Sequence, residues 1–358
     1  MMFKKGSNYG KPLILGLLIF WVFIGQAVEA ASDPIKDDNF SKVAKNGVKK
    51  IIIPSFQVTF RTLVSDTAKS KSNFFGSAND PKSTASMVVN WPNADKAMLQ
   101  KTANEAYREF AQKLAASGLE VVPMASVTGS AAYKQLNGSA EPVVKESYII
   151  MAPAGMTIYD PMAKLDPNGG FTLGVFNTNM KCEGDIVKEL NGDFTGVAVA
   201  RVSLIVSIGG YKKEGSISNS GTTTTASASI AFDPRLSLHP SLPTDKLGGY
   251  IGTSVTVLSN YYVMEGYKIS GNMAKDTSRV WIEGALSSEI VAGSLQETTT
   301  TGEKVGMAFV NVLGALSGQS ASLKKYEFTV DPASYEQGTR EIVGKFSEMI
   351  GNRIKGSN

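Results

Sequence analysis

The sequence predicts an α/β protein of the α+β kind, with a twisted mixed sheet, packed helices and a β-rich extension with long hairpins. A strand, a capped helix and a short strand follow one another over residues 49–123. The pattern turns strongly β from residue 194, and the chain ends in a helical stretch. The expected organisation is a signal peptide (1–30), an α/β domain (31–193), a β-rich extension continuous with the same sheet (194–330) and a C-terminal helix packing on the core (331–358).

The N-terminal residues are typical of a signal peptide. Three lysines among the first eleven residues precede an apolar run over residues 13–25, and Val28 and Ala30 offer the small side chains that signal peptidase requires. That run is shorter than the roughly 20 residues that span a bilayer, so an uncleaved anchor helix is the less favoured alternative. We therefore expect cleavage after Ala30 and a mature protein in the periplasm or outer membrane.

Charge and cysteine content exclude some classes of protein. The 36 basic and 32 acidic residues give a formal charge of +4, and loss of residues 1–30 removes three lysines and one glutamate, which leaves +2. A nucleic-acid-binding protein would show a strongly basic face, so no nucleic-acid partner is expected. The single cysteine, Cys182, cannot form an internal disulfide and is expected to be inert, so the core must hold the exported chain together.

The first predicted strand, VKKIIIPSFQVTFRTLV, combines a β-branched run with alternation of Phe56, Val58 and Phe60 against polar residues. Pro54 interrupts its hydrogen-bond ladder, so we expect an edge position or a kink there. A loop rich in serine, asparagine and lysine is predicted over residues 65–86.

Helix signals are clearest after this loop. Asn93 or Asp95 can cap a helix whose apolar residues recur at helical spacing from Leu99 to Leu114, and Gly118 suits the position that ends it. The next stretch, LEVVP, predicts a short buried strand.

Two more helices are predicted downstream. Short strands are predicted near residues 147–151 and after the turn at 166–170, and CEGDIVKELNG then reads as a helix of about three turns closed by Gly192. The C-terminal helix begins at Asp331 as N-cap with proline in its first position. Gly338 and Gly344 weaken this helix unless they mark close packing.

A β-hairpin is predicted over residues 197–232, with GGYKKEGSISNSG as the polar connection. In its first arm, one side carries the apolar residues Val202, Leu204, Val206 and Ile208, and the other carries Arg201, Ser203, Ile205 and Ser207. Each arm is near the roughly 9–11 residues of a transmembrane strand. A sheet with one wet face shows the same alternation. The sequence favours the soluble hairpin and leaves a membrane-inserted hairpin open.

Residues with catalytic or metal-binding chemistry are scarce. The only histidine, His239, lies in LSLHPSLP and is interpreted as a surface or turn residue. One histidine and one cysteine exclude conventional zinc sites. The DPNGG turn at Asp166 lacks the ligand pattern of an EF-hand. Residues 322–325 formally match S-x-x-K without the companion motifs of that chemistry.

Acidic side chains offer no recognisable pair either. Glu183 and Asp185 are interpreted as solvated charges. We therefore predict no catalytic, cofactor-binding or metal-binding residues, and no cofactor.

The order of strand, capped helix, LEVVP strand, short helix and NGDFTGVAVARV at residues 191–202 resembles the periplasmic α/β domain of the curli-export-channel family. It is also similar to the amino-terminal domain of TolB-type proteins. The resemblance covers residues 49–208 and implies a ring-forming or complex-forming envelope protein rather than an enzyme. Curli-channel proteins carry a lipid-modified cysteine at the mature N-terminus, whereas this chain has none there.

Together these observations predict an exported, non-catalytic structural or assembly component of a periplasmic or outer-membrane complex. Its expected partners are further copies of itself or other envelope proteins, and contact with the outer membrane is left open. Three alternatives remain: an oligomeric outer-membrane channel that contributes the hairpin 197–232, a periplasmic hydrolase with a carboxylate-based site, and a small-ligand carrier.

Overall fold

Most of the chain is arranged in two β-sheets, with helices packed on the larger one. The computed structural model describes residues 34–70, 82–159, 179–220, 223–240, 252–266, 269–304 and 319–355. The strands named below are β1 (Ile35–Asp38), β2 (Lys50–Arg61), β3 (Leu63–Lys69), β4 (Lys82–Asn90), β5 (Glu120–Val121), β6 (Val143–Val144), β7 (Tyr148–Met151), β8 (Val197–Ser207), β9 (Gly210–Ser220), β10 (Thr223–Asp233), β11 (Arg235–Leu238), β12 (Ser254–Gly266), β13 (Ile269–Ile282), β14 (Leu286–Val291), β15 (Gly293–Glu297) and β16 (Gln319–Val330). The helices named below are α1 (Phe40–Lys45), α2 (Lys96–Ala116), α3 (Met124–Gly129), α4 (Asn179–Asn191) and α5 (Pro332–Ile354).

The larger sheet is mixed, which together with its packed helices confirms the predicted fold class. Its main order is β1, β13, β12, β8, β2, β7, β6, and β2 and β8 run parallel at its centre. β12 pairs with the first part of β8, and β11 pairs with the end of β8 and with β14. The short β5 pairs with the start of β2.

Helices lie on both faces of this sheet because its central strands are apolar on both sides. Ile51 and Ile53 of β2 belong to the hydrophobic cluster that includes α2 and α5, whereas Ile52 belongs to the cluster that includes α4. β8 is buried along nearly its whole length. Strands covered on both faces form the interior of a sheet, so β2 and β8 are the structural centre of the protein.

The smaller sheet has the order β15, β16, β4, β3, and its central pair, β16 and β4, is parallel. The β9–β10 hairpin packs against β3 and β4. Phe232 of this hairpin meets Phe328 of β16 edge to face, with 6.2 Å between ring centroids. The hairpin therefore connects the end of β8 to the smaller sheet.

The predicted helix boundaries are confirmed where they rest on capping. The Asp95 side chain accepts a hydrogen bond of 2.8 Å from the backbone N–H of Ala97 at the start of α2. Gly118, just after α2, has a φ of 87°, which favours glycine. Asp331 accepts a 2.7 Å hydrogen bond from the N–H of Ser334 at the start of α5.

Two glycines of α5 mark close packing, as the sequence left open. A methyl group on Gly338 would lie 3.0 Å from Cδ1 of Leu236, and one on Gly344 would lie 2.9 Å from Oε1 of Glu109. α5 therefore lies close to β11 at Gly338, whereas at Gly344 the near atoms belong to the flexible end of the Glu109 side chain of α2.

One expectation for the N-terminal half is confirmed and one needs correction. At Pro54 the register of β2 with β8 is irregular, between Ile52 and Ser55, and no described strand pairs with the other side of β2 there, because β5 and β7 pair only with residues 50–51 and 58–61. The predicted loop over residues 65–86 is wrong at both ends, since β3 extends to residue 69 and β4 starts at residue 82. Serine, threonine and lysine fill the wetter side of these strands and made them look like a loop.

The predicted pairing within residues 197–232 is wrong. The segment GGYKKEGSISNSG, interpreted as a connection, contains β9, and β9 rather than β8 pairs with β10. β8 instead pairs with β2, β12 and β11 inside the larger sheet. The expected wet face of the first arm is mostly covered, because α4 packs on it. The predicted signal peptide, the strand after residue 170 and the segment 307–318 lie outside the described residues.

Candidate functional site

The carboxyl ends of the two parallel central strands meet at one crevice. β2 ends at Arg61 and β8 ends at Ser207, which pair directly. Ligands of sheets with parallel strands bind in such positions. The cavity there has a volume of about 720 Å³ and is lined, among others, by Arg61, Asp66, Lys213, Asp233, Arg235 and Ser237. We call it the Arg61 crevice.

Strand register aligns the polar floor of the crevice. Arg61 of β2 pairs with Ser207 of β8, which pairs with Ser237 of β11, which in turn pairs with Ser287 of β14. Directly opposed residues share one face of a sheet, so these four side chains form a row across four strands. The Ser207 hydroxyl donates a 2.7 Å hydrogen bond to the Gly209 carbonyl, whereas the buried Ser237 hydroxyl has no partner among the described residues.

Arg61 is the unusual member of this row. Only 7% of its surface is exposed, and among the described residues its guanidinium forms no hydrogen bond and no ion pair within 4 Å. Burial lowers the pKa of Arg61, while the nearby Tyr211 and Asp66 act in the opposite direction without touching it. Buried arginines are normally paired, and no described residue pairs with this one, so its charge is available to a group that the described residues do not supply.

The two carboxylates that line the crevice are both occupied. Asp66 forms an ion pair of 3.0 Å with Lys213. Asp233 accepts hydrogen bonds of 2.9 Å and 2.6 Å from Nε and Nη2 of Arg235. The hydrogen bonds from Arg235 lower the pKa of Asp233, against a smaller opposing effect of burial. Neither carboxylate is therefore directed at Arg61.

The wall opposite the serine row comes from the start of β9. The Tyr211 hydroxyl donates a 2.8 Å hydrogen bond to the Val64 carbonyl and holds the hairpin against β3. Burial, reinforced by the charge of Asp66, raises the pKa of Tyr211. Gly209 must be glycine here, since a methyl group on it would collide with the Asp233 carbonyl. The shape of the crevice therefore depends on how β9 leaves the end of β8.

A second polar cluster lies farther back on the same face of β8, and it corrects the interpretation of Glu183 as a solvated charge. Glu183 is fully buried. Its Oε1 accepts hydrogen bonds of 2.7 Å from Nε of Arg201 and 2.6 Å from the Tyr159 hydroxyl, and Nη2 of Arg201 donates to Oε2. Asp185 is partly exposed and paired with Lys181 at 2.8 Å. The Glu183 cluster is internally satisfied and joins α4 to β8.

The β12–β13 ribbon is the third feature. β8 pairs with β12 only from Ser254 to Ser259, so residues 261–266 pair with β13 alone. A left-handed residue, Asn260 (φ 55°), marks this transition. Tyr262 and Val263, at 43% and 55% exposed, stand among the exposed large hydrophobic residues of the described chain. Among the described strands, none pairs with the outer edge of residues 261–266.

The other residues considered as candidates in the sequence lie at separate places in the structure. His239 is half-buried, directly follows β11 and lines the Arg61 crevice. Cys182 is buried in α4. Residues 322–325 lie in β16, and Asp166 lies outside the described residues. The described part of the chain contains no group of three or more histidine, cysteine, aspartate or glutamate side chains that could hold a metal ion.

Sequence reasoning missed Arg61 although a signal was present. The strand pattern alternates Phe56, Val58 and Phe60 with polar residues and then places a charged residue at its end. Glu183 carried a signal too, since it shares a helical stripe with Ile186 and Val187. Whether such a residue is solvated or buried depends on what covers it.

Comparison with known proteins assigns no relative. No family model matches the chain, no curated protein matches it, and no solved structure matches its fold. Within the described residues, the helices are too short or too polar to cross a membrane. The resemblance to the curli-channel and TolB-type domains remains a prediction.

Proposed function

We propose that this chain is exported and acts as a non-catalytic component of a larger cell-envelope assembly, bound to other envelope proteins or to further copies of itself. The basic, apolar and small-residue segments at its N-terminus support export. An unpaired strand edge among the described residues supports association.

The proposal rests on the unpaired edge of the β12–β13 ribbon. The outer edge of residues 261–266 presents backbone N–H and C=O groups that no described strand satisfies. Exposed strand edges are sites where another chain adds a strand, and apolar side chains beside them add contact area. Val263 and Tyr262 supply such side chains on the two faces of the ribbon. A partner strand added there would pair with residues 261–266 of β12, beyond the point where β8 stops pairing with that strand.

The electrostatics of the Arg61 crevice agree with recognition rather than catalysis. A carboxylate that acts as a general acid has a raised pKa. Here the pKa of Asp233 is lowered by Arg235, and Asp66 is paired with Lys213. These carboxylates organise the cations around the crevice.

The test combines fractionation of the native cell envelope with gentle sizing of the fraction that holds the protein. We expect a soluble or peripherally attached assembly much larger than one chain. Replacing Val263 by aspartate should release the protein as a monomer, because a charge on the ribbon opposes strand addition. Val144→Asp is the matched control, since Val144 of β6 is similarly exposed at 51% but lies at the other end of the sheet.

Recovery of the wild-type protein as a soluble monomer would contradict the proposal. An assembly that survives Val263→Asp as well as Val144→Asp would show that the ribbon is not the contact. Recovery in the outer membrane as a detergent-resistant ring would instead favour the channel alternative. In that case β9 and β10 would be the strands to examine, because β8 is part of the central sheet.

A further inference from the structure

The Arg61 crevice contains two buried polar groups that have no partner among the described residues. Arg61 is 7% exposed and Ser237 is 2% exposed, and both line the same cavity. The Ser237 hydroxyl makes no hydrogen bond, and the Arg61 guanidinium makes neither a hydrogen bond nor an ion pair with any described residue. Leaving a buried polar group unpaired is costly, and for a charge the cost is larger. Such groups persist where a ligand completes them.

The charged side chains that line the cavity carry a net positive charge. Its lining includes four cationic side chains, from Arg61, Lys212, Lys213 and Arg235, against the two carboxylates of Asp66 and Asp233. Lys213 pairs with Asp66, and Arg235 pairs with Asp233, which Lys212 also approaches at 3.6 Å. The carboxylates are thus neutralised by cations other than Arg61. The uncompensated positive charge is concentrated on the buried guanidinium.

The hydrogen-bond donors of Arg61 and Ser237 suit a group with negatively charged oxygens. A guanidinium offers parallel N–H donors that match the oxygens of a carboxylate or phosphate, and a serine hydroxyl turns to donate to either. Arg61 and Ser237 lie on the two strands that flank Ser207 of β8, and both line the cavity from the same face of the sheet. At about 720 Å³ the cavity is far larger than one ion needs. The space beyond the donors accommodates the remainder of a larger ligand.

We propose that the Arg61 crevice binds an oxyanion, the carboxylate or phosphate group of a ligand larger than a simple ion, with Arg61 as its anchor and Ser237 as a second donor. The site is separate from the β12–β13 ribbon, so this proposal does not depend on the assembly function. It also accounts for the conflict between the burial of Arg61 and its missing partner.

The experiment measures binding of inorganic phosphate and of acetate to the purified protein. Isothermal titration calorimetry gives the affinity, and thermal unfolding gives the rise in melting temperature as each anion is added. Sodium chloride at matched ionic strength is the reference, because general screening affects all surface charges alike. We expect a saturable rise in melting temperature with phosphate, acetate or both that chloride does not reproduce.

Arg61→Met is the decisive variant, and Arg108→Met is its matched control, an exposed arginine of α2 that pairs with Glu105. Arg61→Met should weaken anion binding about tenfold or more, since it removes a charge-assisted pair of hydrogen bonds. Without anion it should melt at a higher temperature than wild type, because an unpaired buried charge has been removed. Arg108→Met should bind like wild type.

Ser237→Ala keeps the test decisive if Arg61→Met fails to fold. It removes one small hydroxyl and should weaken binding a few-fold. A response to phosphate alone supports a phosphorylated ligand, a response to acetate alone supports a carboxylate ligand, and a response to both supports a general oxyanion site. Absence of any response beyond chloride in wild type overturns the proposal. Binding that survives both Arg61→Met and Ser237→Ala overturns it as well.

Discussion

The Nε atom of Arg201 in β8 lies 2.7 Å from Oε1 of Glu183 in α4, and the second nitrogen of the guanidinium donates to the other carboxylate oxygen. This two-pronged contact is buried between helix and sheet, with Glu183 fully enclosed. Burial lowers the pKa of Arg201, but the charge and hydrogen bonds of Glu183 outweigh it and the pKa is raised. Arg201 therefore keeps its charge, and the buried contact between the two side chains makes each depend on the other.

Glu183→Gln should destabilise the protein by about 3–5 kcal/mol, because it leaves the Arg201 charge buried without a counter-charge. Chemical denaturation at neutral pH measures the free energy of unfolding. Asp185→Asn is the matched control on the same helix, and its partly exposed ion pair with Lys181 predicts a loss of under about 1 kcal/mol. Equal effects of the two substitutions would show that Glu183 and Arg201 do not act as a buried pair.

Gly351→Ala and Gly344→Ala should have opposite effects although both lie in α5. A methyl group on Gly351 would collide with Ser117 at the end of α2, whose hydroxyl is tied to the Lys113 carbonyl at 2.9 Å. We expect a loss of about 1–3 kcal/mol from overpacking. On Gly344 the methyl group meets only the flexible side chain of Glu109. The higher helix propensity of alanine should therefore raise the free energy of unfolding by as much as about 1 kcal/mol. Thermal unfolding of both variants measures these effects. A change in melting temperature of the same sign in both variants would contradict this packing.

Asp331→Asn should lower stability at neutral pH and not in acid. Hydrogen bonds from the Ser334 side chain and backbone N–H lower the pKa of Asp331. A carboxylate whose pKa is depressed by folding stabilises the protein above its ordinary pKa of about 3.9, and this contribution is lost as the pH falls through the folded value. The difference in the free energy of unfolding between wild type and Asp331→Asn should therefore become smaller as the pH is lowered. Denaturation curves at neutral and acidic pH measure it, and a difference independent of pH would contradict the capping role of the charge.

Tyr211→Phe should loosen the β9–β10 hairpin from β3. It removes the hydroxyl that donates to the Val64 carbonyl at 2.8 Å but keeps the ring that meets Phe232 at 5.3 Å. We expect a loss of about 1 kcal/mol and faster hydrogen exchange in β9 and β10. Tyr262→Phe, at an exposed position, is the control. Unchanged exchange in the hairpin after Tyr211→Phe would mean that the aromatic contacts alone hold it.

The helix ends were predictable because their signals are local. Asp95 and Asp331 cap α2 and α5 through N–H groups two or three residues away, and Gly118 needs only its own backbone angle. The alternation of β8 also placed Arg201 and Ser207 correctly on one side of the strand. Pairing was not predictable in this way. The polar, glycine-rich β9 was interpreted as a connection, and the apolar pattern of β8 suggested the wrong partner for β10.

By itself the sequence determined the helices α2, α4 and α5, the facing of residues along β8 and a mixed α/β fold, because capping and periodicity act over a few residues. The tertiary structure decided which faces are covered. It brought β4 and β16 side by side across more than 200 residues, since Ser83 and Ser320 pair there. It buried Glu183 between α4 and β8 and left Arg61 enclosed with no partner among the described residues. The environment of a charge is set by distant segments that pack on it, so no local pattern distinguishes a solvated charge from a buried one.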